Sequence, residues 1–174
     1  VTLVSGPVSL PCPANVTLVK VNTAREMHQA CLSSLPADIA ICAAAVADWY
    51  VVNAATQKQK KQSHVQPQIE LAKNPDILAS LSQAESRPLL VIGFAAETEH
   101  LIRHAKDKLA KKKCDWIIAN HISDDPSSSV FGSDQNKASL LKGMDIIEWP
   151  CQSKQALAER LIVEIDEWIK AHDH

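Results

Sequence analysis

Residues 39–47, Ile-Ala-Ile-Cys-Ala-Ala-Ala-Val-Ala, form an unbroken run of small and branched apolar side chains that ends at Asp48. The run is far too short to span a bilayer, which takes roughly 20 apolar residues. It also lacks the alternation of a strand with one wet face. It therefore predicts a buried central strand, and such strands arise where helices cover both faces of a parallel sheet. The same run would deliver Asp48 to the rim of that sheet, where ligands of open α/β folds collect.

A chain of 174 residues suits one domain, 1–174, with a sizeable core. Its formal net charge of −2 argues against a dedicated nucleic-acid binder. No apolar run approaches the length of a membrane span. The five cysteines, Cys12, Cys31, Cys42, Cys114 and Cys151, are scattered, odd in number and without a C-x-x-C pair. That usage fits a reducing compartment, with the cytoplasm as the expected location. Only four glycines are present, and neither G-x-G-x-x-G nor G-x-x-x-x-G-K-[ST] can be written from them. Any phosphate cradle must rest on lysines and helix N-termini.

Val1 to Val4 reads as a short strand broken by Ser5-Gly6-Pro7, and Val16 to Val21 as a second. Entry in mid-strand without a methionine is what a fragment of a longer protein would show. Thr23-Ala24-Arg25-Glu26 is a capping box that opens a helix ending before Pro36. After the central strand comes a polar segment, 53–68, containing Lys58-Gln59-Lys60-Lys61, expected to be a flap or an inter-subunit arm. Ile69 to Leu71 is a short strand. Asn74-Pro75-Asp76 supplies an N-cap and a proline at the first helical position.

Leu89 to Ala95 is another buried strand. The helix expected from Glu97 to Lys113 carries Leu101, Ile102, Ala105 and Leu109 on one stripe, with Lys108 and Lys112 on its edge. Those two lysines can bury their stems and present ammonium heads at the sheet rim. Trp116 to Asn120 is a further strand. Ala138–Leu141 and Asp145–Glu148 form a hairpin across Lys142-Gly143-Met144, and an amphipathic helix closes the chain from Ser153 to about Ala171. The alternation predicts a three-layer α/β/α sandwich, Rossmann-like, with a mostly parallel sheet.

An acid at a strand end followed by a lysine cluster suits a polyphosphate ligand: the acid takes a hydroxyl, an amino group or a metal, and the lysines neutralise phosphate. Each feature has a plainer alternative. Asp48 also reads as a loop acid, Lys58 to Lys61 as a solvated face, and Cys42 as a small buried hydrophobe. Two other functions stand beside that of a nucleotide-using enzyme: a dinucleotide-dependent oxidoreductase of doubly wound fold and a non-catalytic dimerisation module. Preference for NAD over other nucleotides would mark the first, and the absence of any nucleotide binding the second.

Seven segments occur in order: Ser-Gly-Pro-Val-Ser-Leu-Pro (5–11), Ala-Ala-Val-Ala-Asp-Trp (44–49), Lys-x-Lys-Lys (58–61), Lys-Asn-Pro-Asp-Ile-Leu (73–78), Gly-Phe-Ala-Ala-Glu-Thr (93–98), Ala-Asn (119–120) and Phe-Gly-Ser-Asp-x-Asn (131–136). Together they closely resemble the phosphopantothenoylcysteine synthetase (phosphopantothenate–cysteine ligase) domain of bacterial bifunctional coenzyme A biosynthesis flavoproteins, across essentially the whole chain.

The resemblance implies a reaction. The carboxylate of 4′-phosphopantothenate attacks the α-phosphorus of CTP, with magnesium as the usual metal, giving an acyl-cytidylate and pyrophosphate. The cysteine amine then displaces CMP. By matched motif, Cys42, Ala43, Ala44 and Asp48 would line the nucleotide site, and Lys58 would be the catalytic lysine. Pro75, Asp76, Ile77 and Leu78 would offer a helix start, and Phe94, Lys108 and Lys112 would complete the CTP site. No metal ligands are implied.

The family's upstream Asn-x-Ser-Ser-Gly-x-x-Gly segment has no counterpart here. The amino-terminal strand, helix and turn and the fused flavin-dependent decarboxylase domain are accordingly expected to be missing from this fragment, so no FMN is expected and the fragment is not expected to be fully active alone. The resemblance also implies a homodimer, with the strands around 50–71 and the hairpin at 138–148 as candidate interfaces.

Overall fold

In chain order the elements are β1 (Thr2–Ser5), β2 (Thr17–Lys20), α1 (Ala24–Ser33), β3 (Ile39–Cys42), β4 (Trp49–Val51), β5 (Leu71–Lys73), α2 (Ile77–Ser82), β6 (Leu90–Glu97), α3 (Leu101–Lys112), β7 (Trp116–His121), β8 (Gln135–Lys142), β9 (Asp145–Ser153) and α4 (Lys154–His172). This computed structural model describes residues 1–54, 68–97, 100–121 and 135–172. The chain divides into two compact units, Val1–Ala37 with Ala43–Pro88, and Asp38–Cys42 with Leu89–His174.

In the first unit β1 pairs in parallel with β2, from Thr2↔Thr17 to Ser5↔Lys20. The capping box forms as the sequence requires: Thr23 Oγ1 accepts from the Glu26 amide at 3.1 Å. The Glu26 carboxylate reaches back one residue beyond the cap and accepts from the Asn22 amide at 2.7 Å. One helix-start amide, that of Glu26, and the amide just before the cap are thereby satisfied. Helix α1 packs on α2, where His28 Nε2 and Ser80 Oγ meet at 3.0 Å. The ribbon β4–β5 is antiparallel, from Trp49↔Lys73 to Val51↔Leu71. The Arg25 guanidinium lies over the Tyr50 ring, 4.0 Å from its centroid.

The second unit is built on a five-stranded sheet in the order β3-β6-β7-β8-β9. Pairing is parallel across β3, β6 and β7 and antiparallel where β8 and β9 extend the sheet. Leu90, Ile92, Trp116, Ile118, Leu140 and Trp149 form one face of the sheet and pack with Leu157, Leu161 and Ile165 of α4. Those α4 residues recur at four-residue intervals, so one helical stripe meets the sheet. Full burial of each such side chain contributes about 1.5–3 kcal/mol, which makes this the principal core. Val91, Ile117, Ala119 and Leu141 alternate onto the opposite face and are equally buried. Helix α3 packs against β6 and β7, with Ala105 fully buried. The result is the α/β/α layering that the sequence predicts. Lys142 pairs with Glu164 of α4 and holds its ammonium 4.5 Å from the centroid of the Trp116 ring, tying β8 to that helix.

Five local expectations need correction. The short strand after the polar segment is Leu71–Lys73, not Ile69 to Leu71. The apolar run is not one buried central strand: β3 stops at Cys42, lies at the end of the sheet order and leaves Ile41 45% exposed. Residues 43–47 follow as irregular chain. Alanine carries little area to bury and favours strands poorly, so burial gives that stretch small incentive to continue the ladder. The helix near Asn74 begins two residues late, with Asp76 as its N-cap, because Asn74 is held elsewhere, as described below. Helix α3 starts at Leu101, since β6 persists to Glu97. The hairpin is longer than 138–148, because a register irregularity lets pairing continue past Ala138 to Gln135↔Ser153.

Candidate active site

The residues singled out by sequence fall into three groups. Lys58 lies outside the described residues. Ala43, Ala44, Asp48, Pro75, Asp76, Ile77 and Leu78 belong to the first unit, and Cys42, Phe94, Lys108 and Lys112 to the second.

Asp48 is exposed and sits after the irregular stretch, directly before β4. It is therefore not the terminus of a buried strand, as the apolar run had predicted. Its position is set instead by Asn74. The Asn74 amide donates to the Asp48 main-chain carbonyl at 2.8 Å. The Asn74 side chain donates from Nδ2 to the Ala47 carbonyl at 2.9 Å. Sequence reasoning treated Asn74 as a cap and missed this role; its place in the Lys-Asn-Pro-Asp segment was the available signal. Because Asn74 is spent on this junction, Asp76 caps α2, its carboxylate accepting from the Ala79 amide at 3.0 Å. Leu78 is buried in the first unit's core. Ala43 and Ala44 are exposed and carry no bulk that would block a ligand from their backbone.

In the second unit Cys42 is directly opposite Gly93, the last residue of β6 that β3 pairs. Beyond that point β6 continues to Glu97 along β7. Lys108 crosses from α3 and donates from Nζ to the Phe94 carbonyl at 2.7 Å. The lysine pattern on α3 is the one the helical wheel requires. Lys108 and Lys112 are half-buried, whereas Lys106, Lys111 and Lys113 are exposed. Helix α3 ends at Lys113, a left-handed residue at φ 58° whose amide bonds back to Leu109. The Phe94 ring is partly buried against the α4-side core.

Lys108 thereby places a positive charge beside Phe94, within β6 and one residue past its last pairing with β3. Two half-buried lysines one helical turn apart suit an anion, phosphate above all. Among the described residues no group of three or more His, Cys, Asp or Glu could hold a metal ion. No helix of the described residues is long and apolar enough to cross a membrane.

The family model for the DNA/pantothenate metabolism flavoprotein C-terminal domain matches residues 1–169. The coenzyme A biosynthesis bifunctional protein CoaBC of Haemophilus influenzae is 40% identical over 168 residues, covering 96% of this chain and 41% of that protein. The chain thus spans about two fifths of the length of the curated relatives it matches. The solved structure of a CoaBC C-terminal domain superposes with a TM-score of 0.75 at 31% identity, covering 98% of this chain and 74% of that one. A Cab2 H337A mutant, solved in complex with phosphopantothenate-cysteine, shares the fold at a TM-score of 0.59 and 15% identity, covering 91% of this chain and 56% of that one.

Proposed function

As the chain belongs to the family of DNA/pantothenate metabolism flavoprotein C-terminal domains, we propose that it serves coenzyme A biosynthesis by joining phosphopantothenate to cysteine at the expense of CTP. A carboxylate does not react with an amine at neutral pH. Activation as an acyl-cytidylate, with loss of pyrophosphate, creates the leaving group that the amine can displace. The protein's contribution to such a step is positioning and charge neutralisation.

The observation that carries this reading is the pair Lys108 and Lys112, half-buried one turn apart on α3, with Lys108 anchored on Phe94. A lysine whose stem is packed and whose head is already oriented has less freedom to lose when it meets a phosphate. In the proposal Cys42, Ala43, Ala44, Asp48, Phe94 and the segment 75–78 serve the nucleotide, and Lys58 neutralises charge at the reacting phosphorus. Magnesium is held chiefly by triphosphate oxygens and water, with few protein carboxylates; the matched set contains two, Asp48 and Asp76, and Asp76 is committed to capping α2. The proposed assembly is a homodimer. Trp49, Val51, Ile69 and Leu71, all about half-exposed or more on or beside the β4–β5 ribbon, supply apolar area for it.

Calorimetric titration with CTP and magnesium, beside ATP and NAD, tests the proposal. Selective CTP binding that weakens in Asp48→Asn and Lys108→Gln is the expected result. Preference for NAD would favour an oxidoreductase, and binding of no nucleotide would overturn the nucleotide reading for this chain.

A further inference from the structure

Four buried polar atoms of the second unit meet no hydrogen-bond partner among the described residues: Asn120 Oδ1, Asn136 Oδ1, Trp149 Nε1 and Gln152 Nε2. The strand register places all four side chains on one face at one end of the sheet. Asn120 of β7 lies opposite Ala138 of β8, and Ala138 opposite Trp149 of β9. Directly opposed residues point the same way. Asn136 precedes Ala138 by two residues, so it shares that face, and it opposes Gln152.

Trp149 and Gln152 are three residues apart, an odd step that sends side chains of a regular strand to opposite faces. The register irregularity between Asn136 and Ala138 places one extra residue on β9 and returns Gln152 to the face of Trp149. Ala138 and Trp149 pack in the cluster that contains Leu157 and Leu161. The four side chains therefore project on the α4 side, near the carboxyl end of β7. Asn136 is only 6% exposed and Trp149 1%.

A buried polar atom without a partner has lost its water and recovered nothing, and native folds rarely tolerate one. Four gathered by a bulge point to a common partner. Their chemistry defines it: two carbonyl-type acceptors and two N–H donors, none charged. A divalent cation would require carboxylates or imidazoles, and a phosphate would require cations aimed at it. Arg160 lies over the Trp149 ring, 5.6 Å from the centroid, whereas Nε1–H points along the ring plane. What fits is a small neutral molecule that both donates and accepts.

We infer that these atoms line an internal site occupied by ordered water, which links β7, β8 and β9 where direct side-chain bonds do not. A buried water makes two to four hydrogen bonds and is a fixed part of its protein. The inference is independent of the proposed ligase activity.

A crystal structure of the full chain at a resolution that shows waters is the test. The expected result is at least one water within about 3.2 Å of two or more of the four atoms. Empty density there, or a protein group making those bonds directly, would overturn it. A thermal-melt cycle gives a second reading. Asn136→Leu and Gln152→Leu should each lower Tm, and the double variant should lose less than the sum, because the water and its remaining partners are removed together. Strictly additive losses would count against a shared occupant.

Discussion

Lys108 on α3 donates its ammonium to the main-chain carbonyl of Phe94 across 2.7 Å, one residue beyond the point where β3 ceases to pair with β6. One of the three ammonium donors is thereby committed, and the head is held against the middle of β6, just past the end of β3. The contact turns a flexible surface cation into an oriented one.

If that orientation serves a phosphate, Lys108→Gln should weaken CTP binding at least tenfold, about 1.4 kcal/mol, while leaving the melting temperature within a few degrees. Lys106→Gln, at an exposed position of the same helix, is the control and should bind as the unaltered chain does. Calorimetry of the two variants side by side checks this; equal loss in both would reduce the effect to bulk charge.

Asn74 holds the junction before β4 through its side chain on Ala47 and its amide on Asp48. Asn74→Ala removes only the first bond and should cost about 1 kcal/mol of stability, read from urea unfolding. Under the proposed function it should also raise the CTP dissociation constant, because the junction leading into Asp48 is then held by one bond fewer. Unchanged binding would separate the position of Asp48 from nucleotide recognition.

Leu140 is fully buried between its sheet neighbours and α4. Leu140→Ala should destabilise the chain by about 2–5 kcal/mol, the sum of lost burial and a residual cavity. The same truncation at Ile162, which is largely exposed on α4, should change stability little. Denaturant midpoints for the two variants provide the comparison.

Burial pushes the Cys31 thiol above the usual thiol range. The neutral form is the one the fold favours, so this contribution to stability is fully present below the unfolded thiol's pKa and is lost as pH rises through the folded value. In the native state at mildly alkaline pH, iodoacetamide should modify exposed Cys12 well before Cys31. Peptide mapping after a timed reaction would show the order, and the difference should vanish in denaturant.

Features legible in the sequence were those whose physics is contained within a few residues. The cap at Thr23 needs only Glu26, three positions on. The burial of Lys108 and Lys112, and not of Lys106, Lys111 or Lys113, follows from the 3.6-residue period once Ala105 and Leu109 define the inner stripe. The features that were missed depend on distant partners. Ala43 to Ala47 look like strand, but alanines give too little area to bury to hold a ladder where β3 has reached its last partner at Gly93. Asn74 looks like a cap until Ala47, 27 residues earlier, accepts its side-chain bond.

The sequence by itself therefore determined the α/β class, the order of the main helices and strands, the family motifs and the inward edge of α3, because periodicity, capping and residue chemistry act locally. Only the tertiary structure decided that β3 lies at the end of its sheet, that Asp48 follows an irregular stretch, and that Asn120, Asn136, Trp149 and Gln152 share one buried face. Register and bulges are set by which strands meet across the sheet, and one extra residue in β9 is enough to change the face to which a side chain points.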